Sequence, residues 1–392
     1  MNRRAAGTCV LLVLTLFLGA CSGAPAPDLE ALVSLPPQTP APEAAASLAP
    51  APTGEAAAGL PSPAPTLEPS ASPPPTSALP YGLSSEQMAT LSSLDQVGDY
   101  PLYVMHYYDD YDPQISGLRP AGTQAPAWAC SLFAALGDGE NRLYGRNFDW
   151  QFSPALLLFT DPPDGYASVS MVDIAYFGFD DQAVKTLLHL SLGDLRPLLQ
   201  APHWPFDGMN EHGLAVGMAA VPAGNMPSNP DKPTIGSLGI IREILDHARD
   251  VDEAVALLAA YNIDMQGGPD IHYLVADRSG RSLLVEFYQG QMVVTLTERP
   301  WHLATNFITA SVPARSEAGC WRYEQIEATL SQEGGHLDAT GAMELLSQVS
   351  QTNTQWSVVY GLSSGDVQVT MGRQYENPHA FHLPLTDGTA AP

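Results

Sequence analysis

The chain has 392 residues and a formal net charge of −26, from 16 Lys and Arg against 42 Asp and Glu. This balance excludes a basic surface for nucleic acid, and the length allows one large folded domain or two small ones. The acidic charge is also expected to repel the chain from anionic lipid headgroups.

The first twenty residues have the pattern of a targeting signal. Arg3 and Arg4 precede an apolar run at 10–18, which is too short to span a membrane as a mature helix. The run leads at 18–21 into Leu-Gly-Ala-Cys, which resembles a bacterial lipoprotein processing box. We therefore expect residues 1–20 to be removed and Cys21 to be lipidated, which would anchor the protein on the extracytoplasmic side of the membrane. An ordinary secretory signal cut nearby is the alternative, and it also predicts export.

Residues 21–84 have the composition of a disordered tether. Sixteen of the 36 prolines lie between Pro25 and Pro80, among Ala, Ser and Thr. Such a segment cannot bury enough apolar surface to offset the entropy of ordering, and proline keeps it extended. No Lys or Arg occurs between Arg4 and Arg119. We expect the tether to hold the folded part away from the membrane.

Beyond the tether, apolar runs alternate with turn residues, and most read as strands. The predicted strands are 100–108, 130–136, 143–148, 167–174, 214–220, 272–276, 282–288, 291–295, 356–360 and 367–371. The predicted helices are 181–200, 235–248, 251–261, 321–330 and 339–349, with Asp250 and Asp338 as N-caps. Strands on both sides of a helical middle, joined by antiparallel hairpins, predict an α+β fold with helices packed on sheets.

The most informative of these patterns is the predicted hairpin that starts at Cys130. Residues 137–141, Gly-Asp-Gly-Glu-Asn, separate its two strands. A hairpin brings the start of its first strand beside the end of its second, so Cys130 is expected to meet Arg146 and Asp149. Cysteine attacks as the thiolate, and a neighbouring guanidinium favours that form. The hairpin therefore predicts a nucleophile.

Four segments in order resemble the cysteine N-terminal-nucleophile (Ntn) hydrolases. The hairpin carries the spacing of Cys, Arg and Asp with Gly-Arg-Asn-Phe-Asp-Trp at 145–150. Gly-Met-Asn-Glu-His-Gly-Leu at 208–214, Ala-Thr-Asn at 304–306 and Ser-Val-Val-Tyr at 357–360 follow. Within the family the chain is most similar to the linear amide C–N hydrolases: penicillin V acylase, bile-salt hydrolase and acyl-coenzyme A:6-aminopenicillanate acyltransferase, with acid ceramidase more distant. The resemblance covers about residues 95–380.

The resemblance implies an αββα four-layer sandwich of two mainly antiparallel sheets between helical layers. It also implies that Cys130 is the first residue of the mature catalytic chain, with its own α-amino group as the general base. Because Cys130 is internal here, the Ala129–Cys130 bond must be cut, and we expect the chain to cut it. Residues 85–129 would then be a propeptide or a retained light chain, and 130–392 the catalytic domain.

The resemblance assigns roles to five further residues. Arg146 would lower the pKa of the Cys130 thiol, and Asp149 would bind the new α-amino group. Asn306 is the expected side-chain donor of the oxyanion hole, and the backbone N–H of Ala220 the second donor. Arg322 is the best match to a second arginine near the nucleophile, although Gly319 stands where the family has Ser. A surface arginine at a helix start is the alternative for Arg322.

Other chemistries fit the sequence less well. A Cys130–Cys320 disulfide is possible in an exported protein, and it competes with two thiols. Gly-Leu-Ser-Ser-Gly at 361–365 matches a nucleophile elbow, but a strand is predicted after it where the elbow needs a helix. The scattered histidines and unpaired cysteines predict no metal site, and no cofactor is expected.

The sequence thus predicts a lipid-anchored, self-processing cysteine amidohydrolase that cleaves linear non-peptide amides of N-acyl compounds through an acyl-thioester on Cys130. An acyltransferase of the same fold, which passes the acyl group to an amine, stays open as an alternative. So does a surface lipoprotein that binds a ligand without catalysis. The acyl and amine groups of the substrate and the oligomeric state are not indicated by the sequence.

Overall fold

The computed structural model describes residues 80–98, 100–111, 129–222, 224, 226–265, 267–312 and 318–386. The predicted signal peptide, the lipidation site Cys21 and almost all of the predicted tether lie outside these residues. Within them, no helix is both long and apolar enough to cross a membrane.

Strands dominate the described part of the chain. In chain order they are β1 (Asp95–Val97), β2 (Leu102–Tyr107), β3 (Ser131–Ala135), β4 (Leu143–Asp149), β5 (Ala155–Thr160), β6 (Ser168–Asp173), β7 (Pro205–Asn210), β8 (Leu214–Ala220), β9 (Thr234–Gly236), β10 (Asn262–Asp264), β11 (Ile271–Asp277), β12 (Ser282–Tyr288), β13 (Gln291–Leu296), β14 (Trp301–Ala304), β15 (Thr354–Gly361), β16 (Asp366–Met371) and β17 (His379–His382). The α-helices are α1 (Ser85–Ser92), α2 (Leu192–Leu195), α3 (Gly239–His247), α4 (Val251–Ala260), α5 (Trp321–Gln332) and α6 (Ala339–Gln348).

These strands form two large sheets and one small pair. The first sheet has nine strands in the order β1-β2-β5-β6-β7-β8-β11-β12-β13, and the second has six in the order β14-β3-β4-β15-β16-β17. Neighbours in both sheets are antiparallel except β2 and β5, which are parallel. The small pair joins β9 to β10 in parallel.

The sheets pack face to face, and helices cover the outer face of each. Helices α3 and α4 contact the nine-stranded sheet through β7, β8 and β11, whereas α5 and α6 contact the six-stranded sheet through β14, β3, β4 and β15. Strand β3 touches β8 and β11 across the interface between the sheets. The order helix, sheet, sheet, helix confirms the predicted αββα fold of two mainly antiparallel sheets.

A glycine lets the two sheets approach closely beside the predicted nucleophile. A Cβ at Gly217 on β8 would stand 2.8 Å from the Tyr144 hydroxyl and 3.0 Å from Leu132 Cδ2, both on the opposite sheet. Contacts that short force neighbouring atoms to move, so a larger residue here would push the sheets apart.

The N-terminal segment is an integral part of the nine-stranded sheet. Strand β2 lies between β1 and β5. Two tyrosine hydroxyls of β2 donate to backbone carbonyls of the later chain: Tyr103 to Val184 at 2.9 Å and Tyr107 to Leu199 at 3.0 Å. These contacts tie residues before Cys130 to residues after it without using the peptide bond at 129–130.

The prediction of one helix over 181–200 is wrong. Two 3-10 helices occupy this region, Ala183–His189 and Arg196–His203, with the four-residue α2 between them. Leu190 is extended (φ −73°, ψ 153°), and Pro197 follows at the start of the second 3-10 helix. A proline has no N–H to donate, so the apolar spacing alone could not maintain an α-helix here.

The ends of other helices follow local sequence signals. Asp250 accepts from the backbone N–H groups of Asp252 and Glu253 at the start of α4, and Asp338 accepts from Gly341 at the start of α6. Both predicted N-caps are confirmed. The predicted helix over 235–248 instead begins at Gly239, because residues 234–236 form β9.

Candidate active site

The hairpin predicted around Cys130 is present, with β3 and β4 as its two strands. Ser131 pairs with Asn147 and Leu132 with Arg146, so Cys130 lies just before β3 and beside the end of β4. Cys130 is 2% exposed, and Arg146 and Asp149 are fully buried. A thiol and two ionisable groups thus lie together between the sheets, buried from solvent.

Arg146 connects the thiol to the opposite sheet. Its Nη2 lies 3.9 Å from Cys130 Sγ, while its Nη1 donates to the Phe206 carbonyl at 2.6 Å and forms a salt bridge with Asp207. The second oxygen of Asp207 accepts from the Tyr360 hydroxyl. Burial of a guanidinium is tolerable because Asp207 supplies the opposite charge.

Sequence reasoning missed the roles of Asp207 and Tyr360. Asp207 directly precedes the Gly-Met-Asn-Glu segment that resembles the family, and Tyr360 is the last residue of the Ser-Val-Val-Tyr segment. That position in two matching segments was the available signal. Which residue they face depends on the stacking of the two sheets.

The Cys130 thiol does not have a lowered pKa in the uncut chain. Burial raises its pKa, and the carboxyl of Asp149 adds to the rise, whereas Arg146 and a hydrogen bond from the Asp149 backbone amide oppose it. Arg146 lowers the pKa of the thiol, as expected, but the pKa as a whole is raised and not lowered. Desolvation disfavours the thiolate more than one guanidinium at 3.9 Å favours it.

Asp149 has one oxygen satisfied and one open. The Thr354 hydroxyl donates to Oδ1, and Oδ2 has no hydrogen-bond partner among the described residues although it is buried. Burial raises the pKa of Asp149 to about 7, against the effects of Thr354, Arg322 and Arg146. A buried carboxyl oxygen without a donor is costly, so this one is ready to accept a cation or a proton.

Arg322 and Asn306 complete the cluster from the side of β14, the strand next to β3. Arg322, the second residue of α5, is 4% exposed, which excludes a surface arginine. Its Nη1 donates to the Cys130 carbonyl and to Ser131 Oγ, and its Nη2 donates to Asn306 Oδ1 at 2.9 Å. Arg322 thus holds the backbone of Cys130 and the side chain of Asn306 together.

Asn306 in turn contacts Ala220. Its Nδ2 donates to the Ala220 carbonyl at 2.8 Å, which leaves a second N–H on the same nitrogen. The backbone N–H of Val221 points toward β11, because it donates to the Asp270 carbonyl. Neighbouring residues of a strand direct their backbone groups to opposite sides, so the N–H and C=O of Ala220 point away from β11. The Ala220 N–H therefore lies on the side where Asn306 binds. All six residues predicted for the site, from Cys130 to Arg322, belong to one connected cluster.

Two competing site hypotheses are not compatible with the structure. Cys130 and Cys320 are buried thiols and are not joined by a disulfide. The Gly-Leu-Ser-Ser-Gly segment at 361–365 is the turn between β15 and β16, as predicted, so the helix that a nucleophile elbow requires is replaced by a strand.

A cavity that is partly open to solvent lies next to the cluster. Phe206, whose carbonyl binds Arg146, is one of its walls, and Met218 and Ile271 bring it close to Ala220. The remaining walls are mainly aromatic or apolar: Tyr176, Trp204, Ser237, Leu238, Met265, Gly268 and Pro269. Trp150 and the described residues of 161–166 and 222–231 do not line this cavity.

A family model described as "AAT: Acyl-coenzyme A:6-aminopenicillanic acid acyl-transferase" matches residues 205–365. The match begins with β7 and ends in the turn after β15, and it includes Ala220, Asn306 and Arg322. Over these residues the match supports the resemblance to the Ntn linear amide hydrolases that the motifs predicted. The matching family indicates an enzyme that acts on amides. No curated protein matches the chain.

Solved structures of similar shape come from the same group. A variant of the conjugated bile acid hydrolase from Clostridium perfringens is 17% identical, over 65% of this chain and 92% of that one, with a TM-score of 0.47. The penicillin V acylase from Agrobacterium tumefaciens is 18% identical, over 67% of this chain and 90% of that one, with a TM-score of 0.44. These scores are too low to add to the fold assignment, which rests on the strand order and the layers.

The raised pKa of Asp149 predicts a pH-dependent stability of the uncut chain. Because the pKa rises from 3.8 unfolded to about 7 folded, the group stabilises the fold fully below pH 4, and this stabilisation is lost as the pH rises through 7. In an uncleavable Cys130→Ala background, the free energy of unfolding in urea should therefore fall by up to about 4 kcal/mol between pH 4 and 8 because of Asp149. The Asp149→Asn substitution should abolish this decrease.

Asp252 provides a control that should be flat in this measurement. Its pKa is lowered by Arg281 on the protein surface, so its stabilisation is already complete above about pH 4, and Asp252→Asn should leave the pH profile between 4 and 8 unchanged. An Asp149→Asn chain with the same pH profile as its parent would show that Asp149 is ionised at neutral pH in the uncut fold.

Proposed function

We propose that this protein is a self-processing cysteine amidase that cleaves the amide bond of N-acyl compounds through an acyl-thioester on Cys130. The observation that carries the proposal is the buried cluster in which Arg146 Nη2 contacts Cys130 Sγ, while Oδ2 of Asp149 has no hydrogen-bond partner within the described part of the chain. A purely structural cysteine needs neither a buried cation nor a desolvated carboxyl beside it.

Maturation comes first. Cys130 Sγ adds to the carbonyl carbon of Ala129, the bond from that carbon to Cys130 N breaks, and the nitrogen leaves as the α-amino group. Water then hydrolyses the thioester, which gives the Ala129 carboxylate and restores the thiol. The amine would bind Asp149 Oδ2, the oxygen without a donor in the uncut chain, and its positive charge would lower the pKa of Asp149.

The same groups would then act on substrate. The new α-amino group takes the thiol proton as Cys130 attacks the acyl carbonyl, and returns it to the leaving amine. Asn306 Nδ2 and the Ala220 N–H would stabilise the oxyanion, and Arg322 would keep Asn306 in position through Oδ1. Water on the thioester finally releases the acyl group as a carboxylate.

The cavity favours an uncharged apolar acyl group. Its walls are aromatic and aliphatic, with Ser237 as the main polar exception, and none of the described lining residues is ionisable except Tyr176. Burying a charged acyl tail there would need a counter-charge that the walls do not supply. An aliphatic or arylacetyl chain matches the chemistry of these walls.

An acyltransferase of the same fold is the second candidate, favoured by the description of the matching family model. Hydrolysis and transfer share the acyl-thioester and differ only in whether water or an amine attacks it. The two outcomes are therefore separated by products rather than by residues.

For the part of the chain before the fold, we propose lipid anchoring at Cys21. Leu-Gly-Ala-Cys at 18–21 and the proline-rich residues that follow support this proposal. The enzyme would then act at the cell envelope on the extracytoplasmic side, with residues 85–129 retained as a light chain through strand β2.

The test uses purified protein that begins after Cys21, made without lipid. We expect mass spectrometry and N-terminal sequencing to find two fragments that meet at Ala129 and Cys130. The cut protein should release amine from octanoyl and phenylacetyl amides faster than from acetyl amides. Added amine acceptor should not change the carboxylate yield if the enzyme is a hydrolase, and should divert the acyl group if it is a transferase. An uncut chain without turnover would leave a ligand-binding protein as the better description.

A further inference from the structure

A second buried carboxylate, Glu286 on β12, lies outside the cluster that surrounds Cys130. Glu286 is fully buried and accepts three hydrogen bonds from one turn: from Thr309 N and Thr309 Oγ1, both at 2.6 Å, and from Ala310 N at 2.9 Å. His272 Nδ1 lies 3.3 Å from the same carboxylate. So many donors on one buried group indicate a rigid junction.

The turn that Glu286 holds carries the predicted oxyanion donor. Asn306 lies between β14, which ends at Ala304, and the 3-10 helix Thr309–Ser311. At its start the segment is fixed to the six-stranded sheet, where Ala304 pairs with Leu132 two residues from Cys130. At its end it is fixed to the nine-stranded sheet by Glu286. The segment that contains Asn306 therefore connects the two sheets and is fixed to one of them at each end.

His272, which also contacts Glu286, lies next to the second predicted oxyanion donor, the backbone N–H of Ala220. His272 is 1% exposed and pairs on β11 with Ala219, the residue before Ala220. One carboxylate thus joins the strand beside Ala220 to the turn after Asn306. The distance between these two donors therefore depends on Glu286, Thr309 and His272, none of which lines the cavity.

We propose that Glu286, with Thr309 and His272, is the positioning group of the oxyanion hole. This inference rests on the proposed function, because it assumes that Asn306 and the Ala220 N–H stabilise a developing oxyanion. Glu286 touches no reacting atom and sets the place of the two donors. Loss of the junction lets the Asn306 segment move relative to β8, and catalysis by a preorganised site is sensitive to such shifts.

The test measures kcat, KM and thiol reactivity on the full exported chain. Thr309→Val removes one donor at nearly constant volume and should lower kcat about tenfold, the value of one hydrogen bond. Glu286→Ala should lower kcat about 100-fold. KM should not change in either. Alkylation of Cys130 by iodoacetamide should keep the wild-type rate, because displacement of iodide creates no oxyanion at a carbonyl.

Two further variants keep the test specific. Thr309→Ser retains the hydroxyl and should restore kcat. Glu243→Ala removes another buried glutamate, which lies on α3 and accepts a hydrogen bond from the Tyr261 hydroxyl. This variant should lower stability without a selective loss of kcat. Wild-type kcat in Thr309→Val and Glu286→Ala would overturn the positioning role and leave the amidase intact. A wild-type protein that neither cuts itself nor releases amine would overturn both.

Discussion

A Cys130→Ala chain is expected to fold, remain in one piece and release no amine from any acyl amide. The alanine removes the sulfur that contacts Arg146, so neither the Ala129 carbonyl nor a substrate carbonyl can form a thioester at this position. The fold should persist, because Cys130 precedes β3 and contributes no strand pairing. Intact mass, circular dichroism and an amine-release assay measure the three properties on one preparation.

Cys320→Ala is the matched control for this variant. Cys320 is also a buried thiol, and it accepts a hydrogen bond from Thr305 Oγ1 at 3.3 Å. Its removal deletes the same atoms without touching the proposed nucleophile, so cleavage and turnover should continue. Fragments that meet at Ala129 and Cys130 in the Cys130→Ala sample would contradict self-cleavage and indicate an outside protease. Turnover near that of the wild type would contradict the thioester mechanism.

Asp207→Asn is expected to cost the largest share of stability of any single change near the site. Asp207 is the only carboxylate that forms a salt bridge with Arg146 within the described residues, and both side chains are fully buried. The amide leaves the guanidinium charged and without compensation in a desolvated interior. Breaking a buried pair from one side typically costs about 3–5 kcal/mol. Urea unfolding of the uncleavable Cys130→Ala chain, with and without Asp207→Asn, measures the loss.

Tyr360→Phe separates the charge from the hydrogen bond. It removes the hydroxyl that donates to Asp207 and leaves the salt bridge with Arg146 in place. The expected cost is about 1–3 kcal/mol, since one acceptor site of a buried carboxylate loses its donor. Equal losses in the two variants would mean that hydrogen bonding, rather than charge pairing, keeps Arg146 beside the thiol.

Local pattern was enough to predict the half of the site that lies on one hairpin. The strand period of two, the turn residues at 137–141 and the spacing of Cys130, Arg146 and Asp149 describe a geometry that short-range pairing alone produces. Resemblance then added Asn306, Ala220 and Arg322, which the fold brings into contact with the hairpin.

The spacing of apolar residues gave wrong secondary-structure predictions where tertiary packing favours a different local structure. The apolar period at 181–200 favours a helix, yet that stretch consists of 3-10 turns interrupted by an extended residue. Short strands such as β5, β7 and β14 were missed, because four to six residues buried on both faces show no alternation of apolar and polar residues that would indicate a strand.

The sequence by itself predicted the hairpin that brings Cys130 beside Arg146 and Asp149 and, through the resemblance of its motifs, the αββα class, because these depend on residues close in the chain or on motifs in a recognisable order. The tertiary structure alone decided that Asp207 and Tyr360 hold Arg146, that Glu286 ties the Asn306 turn to β11, and that an apolar cavity opens beside Phe206. Each of these contacts joins residues from different sheets or from distant strands. Their proximity follows from strand order and sheet stacking, which no local preference specifies.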